Sequence, residues 1–409
     1  MLYLDHAATS PVRPEVLNAM QPYLTGVFGN PSSHHTAGEA AASALEDARA
    51  RVARVLEMRT GDVIFTAGGT EANNLAVKGI VLAALDRGRT HLITTPIEHE
   101  SILESAEYLQ RFHGVEVTRV PVDSAGRVSA DALADALREN TALVSLGHAN
   151  NEIGTVQDAA TLAAVTKAAG VPLHLDAVQS AGWLELAGLG ADAVSIAGHK
   201  LGAPKGIGAL AVRGRVPLEP LLHGGGQERG RRSGTENVAG AVGLTVALEL
   251  AEAERDAVAA RVEELTARFI SGVLTAVPQA ALTGDAVRRL PGTASFTFAG
   301  TSGEAVLLEL ERRGVISSSG SACAAGSGEP RTCCWPAASR RRSPRRRCVS
   351  RSVARRWSNK RPNNSLRSSL LQSMLSVLVH NSSRFISGTL QFRAVAALPP
   401  ALAPFLEEL

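Results

Sequence analysis

The chain has 409 residues, of which 45% are hydrophobic and only 4% aromatic, so it can bury one large core or two moderate ones built mainly of aliphatic side chains. Its start, MLYLDHAATSP, has no basic segment followed by an apolar run, and no stretch reaches the roughly 18 to 20 apolar residues of a membrane span. These features argue against a signal peptide and a membrane protein, and we predict a cytoplasmic protein.

The net charge of +3 hides two segments of opposite sign. Residues 1–330 contain 27 Lys and Arg against 37 Asp and Glu, whereas residues 331–409 contain 15 against 2. Of the four cysteines only Cys323 lies in the first segment. This excludes an internal disulfide framework there and is typical of a reducing compartment.

Helical and strand patterns alternate from about residue 40 to 250. Apolar residues at helical spacing predict a helix over 37–56, and short apolar runs of strand length begin near residues 62, 91, 115, 141, 171 and 191. This alternation predicts a mainly parallel sheet covered by helices on both faces. Functional residues of such sheets lie at the carboxyl ends of the strands, in the turns that follow.

A long Ala-, Val- and Leu-rich stretch at 237–277 predicts a helix that bridges a large domain to a smaller one. After Pro330 the helical and strand periods disappear, and clusters of Arg are followed by a Ser- and Leu-rich stretch. A disordered basic tail, a reading-frame error in the gene and a nucleic-acid-binding arm remain open explanations. The simultaneous change of composition, charge sign and cysteine density favours the frame error, and we expect no direct nucleic-acid partner.

Lys200 directly follows one of the predicted strands, in a stretch with closely spaced glycines. A lysine that forms a Schiff base must be held rigidly where its amine can lose a proton, and such a turn provides this setting. The alternative is a surface lysine with a packed stem, and Lys205 competes for the role within the same stretch.

Two further strand ends carry polar groups suited to a cofactor. Asp176 follows the strand VPLHL and can pair with a protonated pyridine nitrogen, with Gln179 in reach of a ring oxygen, although Asp176 is equally suited to cap a helix. Gly69 and Thr70 precede a predicted helix, where backbone N–H groups and a hydroxyl suit a phosphate. The alternative for Thr70 is an ordinary capping box.

His99, in the turn IEHES, can stack on an aromatic cofactor or move a proton, although a lone histidine is more often structural. The stretch ANNEIG at 149–154 supplies amides that can bind a cofactor or substrate oxygen. A second Gly-rich stretch at 224–237 predicts a mobile polar loop with anion-binding capacity.

Cys323 lies among Ser, Ala and Gly residues, so we expect an exposed, mobile loop whose thiol can accept a group and carry it away. An inert buried cysteine fits less well, because the neighbours form no apolar run. Residues 1–330 show no metal-ligand spacing, and Cys333 and Cys334 lack plausible partner ligands. We therefore predict no resident metal, with Cys323 at most a transient iron–sulfur ligand.

Nine sequence blocks, from LDHAATSP through TAGGTEANN and AGHKLGAPKGIG to SSGSAC, resemble in their order the cysteine desulfurases of the class V aminotransferase group of pyridoxal phosphate (PLP) enzymes. The resemblance covers about residues 1–330. It implies the α/β architecture of fold type I PLP transferases, with a large PLP domain at 15–255 built on a mainly parallel, seven-stranded sheet. A smaller α+β domain would consist of 1–14 and 256–330, leaving 331–409 as an atypical tail.

The resemblance also implies roles for individual residues. Lys200 matches the Schiff-base lysine, Asp176 the partner of the pyridinium nitrogen, and Cys323 the nucleophile that becomes a persulfide. His99 matches the histidine that stacks over the cofactor ring and takes part in proton transfer. The other cofactor contacts implied are Gly69, Thr70, Asn151, Gln179 and His199, with Thr235 reaching the phosphate of a neighbouring subunit.

The implied reaction removes sulfur from L-cysteine, giving L-alanine and a persulfide that supplies iron–sulfur clusters, thio-cofactors or tRNA through a sulfur-acceptor protein. The implied assembly is a homodimer. A selenocysteine lyase or another class V aminotransferase-like enzyme is the enzymatic alternative, and a catalytically impaired PLP-binding protein is the non-catalytic one.

Two departures from the family pattern bear on activity. Ala197 occupies a position where many relatives have a serine that contacts the phosphate. In addition, no residue can be assigned to the arginine that binds the substrate carboxylate, because the family pattern ends at Glu329 and Pro330. These departures leave the affinity for substrate and the folding of the smaller domain open.

Overall fold

The structure is a computed structural model that describes residues 1–301 and 303–318, together with the backbone of 388–393. Its helices are α1 (Pro14–Thr25), α2 (Thr36–Val55), α3 (Gly69–Asn74), α4 (Ile80–Leu85), α5 (Glu100–His113), α6 (Ala130–Ala136), α7 (Ala159–Ala168), α8 (Val238–Ala276) and α9 (Gly303–Arg312). Its strands are β1 (Leu2–Tyr3), β2 (Val63–Thr66), β3 (His91–Thr94), β4 (Glu116–Arg119), β5 (Thr141–Gly147), β6 (Leu173–Asp176), β7 (Ala193–Ala197), β8 (Gly208–Val212), β9 (Ala280–Leu282), β10 (Thr293–Phe298), β11 (Val315–Ile316) and β12 (Gly388–Arg393).

The central sheet has seven strands in the order β2-β8-β7-β6-β5-β3-β4. Strands β4, β3, β5, β6 and β7 pair in parallel, whereas β8 runs antiparallel to both β2 and β7. The predicted α/β fold with a mainly parallel sheet is therefore confirmed, as are the six predicted strands. Because β2, β3, β5, β6 and β7 point the same way, their carboxyl ends meet at one edge of the sheet.

Both faces of this sheet are covered by apolar layers. One layer contains side chains from α1, α2, α6, α7 and α8, and the other contains side chains from α3, α4 and α5. Successive strand residues alternate between them: Phe65 and Val144 lie in the first layer, and Ile64 and Leu143 in the second. This is the period of two that a strand imposes on its side chains, and it explains why strands buried on both faces are continuously apolar.

A third apolar cluster lies at the far end of α8. It joins Val273 of that helix to Phe296 of β10 and Leu310 of α9. Strand β10 pairs with β9 on one side and with β12 on the other, and β1 pairs in parallel with β11. The N-terminal strand is thereby joined to the segment that follows α9, while the division of the chain at residue 255 stays a prediction.

The segment around Cys323 and, apart from 388–393, the whole of 331–409 lie outside the described residues. The explanations offered above for the basic tail therefore stay predictions. Within the described part of the chain, no helix is long and apolar enough to cross a membrane.

A buried histidine links three strands of the central sheet. His174 of β6 is fully buried, with its Nδ1 2.9 Å from Ser145 Oγ of β5 and its Nε2 2.9 Å from Ser195 Oγ of β7. Burial lowers its pKa from the ordinary value of 6.5 to about 4. The folded protein therefore binds this proton less readily than the unfolded chain does.

We expect the free energy of unfolding to include a contribution from His174 that is present above pH 6.5 and is lost as the pH falls toward 4, at about 1.4 kcal/mol per pH unit. Urea unfolding between pH 7 and 5 checks this. His174→Gln should reduce the slope against pH by that amount. Equal slopes for wild type and His174→Gln would contradict the prediction.

Candidate active site

Lys200 lies at the carboxyl end of β7, in the short helical turn Gly198–Lys200. Its Nζ donates hydrogen bonds to the main-chain carbonyls of Ala7 and Ala8, the latter at 2.9 Å. The N-terminal segment therefore lies across this end of the sheet. Lys200 is half-buried whereas Lys205 is exposed, so of the two lysines only Lys200 is enclosed by other parts of the chain.

Asp176 is the last residue of β6, the strand beside β7, and is only 8% exposed. Its Oδ1 accepts a hydrogen bond from the Val178 amide at 2.9 Å, and its Oδ2 accepts one from Asn73 Nδ2 at 2.7 Å. The alternative role as a helix cap is wrong, because turns follow β6 up to β7. Asp176 and Lys200 thus lie at the ends of adjacent strands, on the edge predicted for function.

Gln179 is buried and shares a partner with Lys200. Its Nε2 donates to the Ala7 carbonyl at 3.1 Å. The adjacent residues Asn150 and Asn151 differ in role. Asn150 Oδ1 accepts hydrogen bonds from the Glu152 and Ile153 amides of the turn after β5, and its Nδ2 donates to the Ile97 carbonyl in the turn after β3. Asn151 is half-buried, and its side chain makes no hydrogen bond to the described residues, so its amide is available to a bound molecule.

Gly69 and Thr70 are the first two residues of α3, so the helix includes the two residues that the sequence placed before it. From α3 the helical stretch continues through a π-helical segment, Leu75–Gly79, into α4. A Cβ at Gly69 would lie 2.7 Å from Val178 Cγ2, so only glycine allows this helix start to approach the segment after Asp176. Thr70 is exposed and forms no capping box.

His199 precedes Lys200 and contacts the N-terminal segment, with its Nδ1 3.2 Å from Thr9 Oγ1. Burial, together with the charges of Lys200 and Lys205, lowers the pKa of His199 to about 4. The imidazole is therefore neutral near pH 7 and carries one N–H group with which it can donate to an anion.

His99 directly precedes α5 and caps it, because its Nδ1 accepts a hydrogen bond from the Ser101 amide at 3.0 Å. Next to it, Glu98 is buried: Thr95 Oγ1 donates to its Oε1 and the Gly147 amide to its Oε2, both at 2.6 Å. Burial, and secondarily the nearby carboxylate of Asp176, raises the pKa of Glu98 to about 7. Glu98 thus fixes the turn before His99 to the end of β5.

The Gly-rich stretch at 224–237 is anchored, in contrast to the mobile loop that the sequence predicted. Glu228 forms a buried ion pair with Arg49 of α2 and accepts the Phe65 amide at 3.1 Å. Arg232 pairs with Glu71 at 2.8 Å. A buried pair of this kind is costly to break, because the remaining partner would keep an uncompensated charge.

Thr235 lies near the end of this stretch and is exposed. Among the described residues, no hydrogen bond joins its side chain to the other predicted site residues. Cys323 lies outside those residues, so its distance from Lys200 stays untested. No cluster of metal-ligating side chains occurs in the described part of the chain.

Sequence reasoning missed two polar residues that the fold inserts between predicted ones. Asn73 of α3 donates to Asp176, and its Nδ2 also donates to Ser101 Oγ of α5 at 2.9 Å. Ser101 in turn contacts His99. Asn73 lies in the sequence block TAGGTEANN. Nothing in the sequence indicates its contacts with Ser101 and Asp176, which are 28 and 103 positions away.

Comparisons with known proteins agree with this geometry. The family described as Aminotransferase class-V matches residues 2–337. The chain is 44% identical over 331 residues to the cysteine desulfurase IscS of Dictyoglomus turgidum, covering 80% of this chain and 84% of that protein. It is 45% identical over 337 residues to the IscS-like cysteine desulfurase of Mycobacterium tuberculosis, covering 81% and 86%.

Solved structures give the same result. A NifS-like protein is 30% identical with a TM-score of 0.79, over 100% of this chain and 97% of that one. A structure described as SspA in complex with cysteine is 35% identical with a TM-score of 0.72, over 83% and 94%. The chain therefore belongs to the class-V aminotransferase family.

Proposed function

We propose that this chain is a PLP-dependent cysteine desulfurase, which converts L-cysteine to L-alanine and leaves the sulfur as a persulfide on Cys323. The observation that carries the proposal is the placement of Lys200 and Asp176 at the ends of adjacent strands of a parallel sheet. The similar proteins named as cysteine desulfurases, 41% to 45% identical to this chain, support the choice of reaction.

The residues present fit PLP. A half-buried lysine amine, a buried carboxylate one strand away and a helix start that approaches closely at Gly69 are the donors and acceptors that this cofactor needs. In this proposal Lys200 would hold the cofactor covalently, Asp176 would pair with the pyridine nitrogen and His99 would contact the ring. The remaining proposed contacts are Gln179 and Asn151 to the ring oxygen and Gly69, Thr70, His199 and, from a neighbouring subunit, Thr235 to the phosphate.

In the proposed reaction the cofactor stabilises the electron pair, and residues of the chain move the proton and attack the sulfur. When bound, PLP supplies an electron sink for the pair released at the substrate Cα. Nζ of Lys200 takes the Cα proton as a free amine. The Sγ thiolate of Cys323 then attacks the substrate sulfur, so that an S–S bond forms while the substrate C–S bond breaks. The pair from the C–S bond stays on carbon, which is protonated to alanine, and the transferred sulfur becomes the outer atom of the persulfide.

The proposal includes the setting of the enzyme. Residues 15–255 would form the PLP-binding domain, and 1–14 with 256–330 the smaller domain that carries Cys323. We also propose a cytoplasmic homodimer that passes its persulfide sulfur to an iron–sulfur scaffold or a sulfur-carrier protein. An exposed Thr235 suits a contact across such a subunit boundary.

Product analysis of the full chain tests the reaction. With PLP, L-cysteine and a thiol reductant, we expect alanine and sulfide to be released in equal amounts. An aminotransferase would produce a keto acid and no sulfide, and an impaired PLP-binding protein would produce neither, so each of these results would refute the proposal. Turnover of selenocysteine without turnover of cysteine would make the chain a selenocysteine lyase.

A further inference from the structure

We propose that Ser101 and Asn73 are positioning residues that hold His99 as the tautomer with its proton on Nε2. His99 then enters the reaction as a hydrogen-bond donor at Nε2 and cannot accept a proton there. The catalytic meaning of this inference rests on the function proposed above, whereas the position of the proton is a property of the chain itself.

The capping contact of α5 fixes the tautomer. The Ser101 amide lies 3.0 Å from His99 Nδ1, and a backbone N–H can only donate. Nδ1 therefore carries a lone pair, and in a neutral imidazole the proton must be on Nε2. Placing the proton on Nδ1 would set two N–H groups against each other. A ring protonated on both nitrogens would in addition carry positive charge at the amino end of a 14-residue helix, where the dipole opposes it.

The Ser101 hydroxyl supplies a second donor to the same nitrogen. Its Oγ lies 2.8 Å from His99 Nδ1 and accepts a hydrogen bond from Asn73 Nδ2 at 2.9 Å. Since Asn73 occupies a lone pair of the oxygen, the hydroxyl hydrogen is directed to Nδ1. Ser101 is 6% exposed and Asn73 2%, so water has little access to this contact.

The orientation of the Asn73 amide follows from its other contact. Nδ2 donates to Asp176 Oδ2 at 2.7 Å, and rotating the amide would place Oδ1 against that carboxylate. Its Oδ1 is buried without a hydrogen-bond partner among the described residues. A buried acceptor without a partner is unfavourable. The amide nevertheless keeps this orientation because both of its N–H groups donate hydrogen bonds, one to Asp176 and one to Ser101. An unbroken row of hydrogen bonds thus runs from Asp176 through Asn73 and Ser101 to His99.

The row joins two residues that contact different parts of the proposed cofactor. Asp176 is the proposed partner of the ring nitrogen, and His99 is the proposed contact on the ring face. Because Asn73 and Ser101 are buried and each has a partner on both sides, a shift of Asp176 is transmitted to the imidazole. This explains why the buried amide of Asn73 uses one donor on Asp176 at the end of β6 and the other on Ser101 of α5.

The tautomer can be read directly by NMR on the full-length chain labelled with ¹⁵N-histidine, with and without PLP. Long-range ¹H–¹⁵N correlations distinguish a nitrogen that bears a proton from one that does not, and the His99 signals are those missing from His99→Gln. We expect the proton on Nε2 at neutral pH. A proton on Nδ1, or a doubly protonated ring, would overturn the inference without the need for any further variant.

Turnover of variants tests the positioning role. Ser101→Ala should lower kcat about fivefold, the effect of one lost hydrogen bond, with PLP affinity unchanged. The matched control is Ser105→Ala on the next turn of α5, since its buried hydroxyl donates to the Ser101 carbonyl at 2.6 Å and not to the row. The control should keep the His99 signals and the kcat of wild type, and an equal fall of kcat in both variants would refute the role.

A double variant tests whether Asn73 and Ser101 act as one unit. If they do, Ser101→Ala combined with Asn73→Ala lowers kcat no further than the more severe single variant does. If the falls of kcat in the two single variants multiply in the double variant, the two residues act independently and the proposed row is refuted. Circular dichroism melting confirms that each variant is folded. A wild type that neither binds PLP nor consumes cysteine, yet has the proton on Nε2, would remove the proposed function and leave the tautomer standing.

Discussion

Lys200→Ala should remove the visible absorption band of lysine-bound PLP and lower sulfide release from L-cysteine by about 10³-fold or more, since the variant loses both the covalent attachment and the proposed general base. No other amine in the described part of the site replaces it, because Lys205 is exposed while Lys200 is enclosed by Ala7 and Ala8. Absorption spectra and sulfide release measured on the same preparation check both effects.

Lys205→Ala is the matched control for this substitution. It removes a lysine five residues away in the same stretch, and we expect it to keep the absorption band and the rate of wild type. Because Lys200→Ala also removes hydrogen bonds to the N-terminal segment, its melting temperature must be measured alongside. A folded Lys200→Ala that retains the band would exclude Lys200 as the attachment point. Loss of the band in Lys205→Ala as well would contradict the assignment of this role to Lys200 alone.

The central sheet was predictable because burial on both faces leaves a local mark in the sequence. Strands β2 and β5 are short runs of apolar residues, and their alternation between two layers needs no knowledge of distant contacts. Strand β8 was not among the six predicted strands, and its antiparallel direction was not predictable in this way. Whether a strand runs parallel or antiparallel depends on the path of the chain between strands, which the apolar pattern of the strand itself does not encode.

The candidate site likewise contains residues that were predictable from local sequence and contacts that were not. The sequence places Asp176 and Lys200 at strand ends, and a parallel sheet brings such ends together. The sequence left Lys200 and Lys205 open, and the greater burial of Lys200 favours it for the proposed role. The Asn73–Ser101 contact and the buried pair of Arg49 with Glu228 could not be foreseen, because side chains far apart in the chain meet only after the helices have packed.

Cys323→Ser should retain the absorption band of lysine-bound PLP and release no sulfide from L-cysteine. Breaking the substrate C–S bond requires a nucleophile that bonds to sulfur and keeps the transferred atom, and a thiolate does both. A serine hydroxyl is far less acidic than a thiol and forms no persulfide, so the reaction stops after the Cα proton has been removed. Cys323 lies outside the described residues, so this prediction depends on chemistry and on the resemblance to the desulfurases rather than on a measured distance.

The three cysteines of the basic tail supply the control for Cys323. Replacing Cys333, Cys334 and Cys348 together with serine should leave sulfide release unchanged, and mass spectrometry should find the added sulfur atom on the peptide that contains Cys323. Sulfide release by Cys323→Ser at the wild-type rate would refute its role, whereas loss of sulfide only in the triple variant would move the persulfide to the tail. The absorption spectrum reports on cofactor attachment to Lys200, and sulfide release reports on sulfur transfer by Cys323. The two substitutions therefore test cofactor binding and sulfur transfer separately, so that one proposal can be refuted without the other.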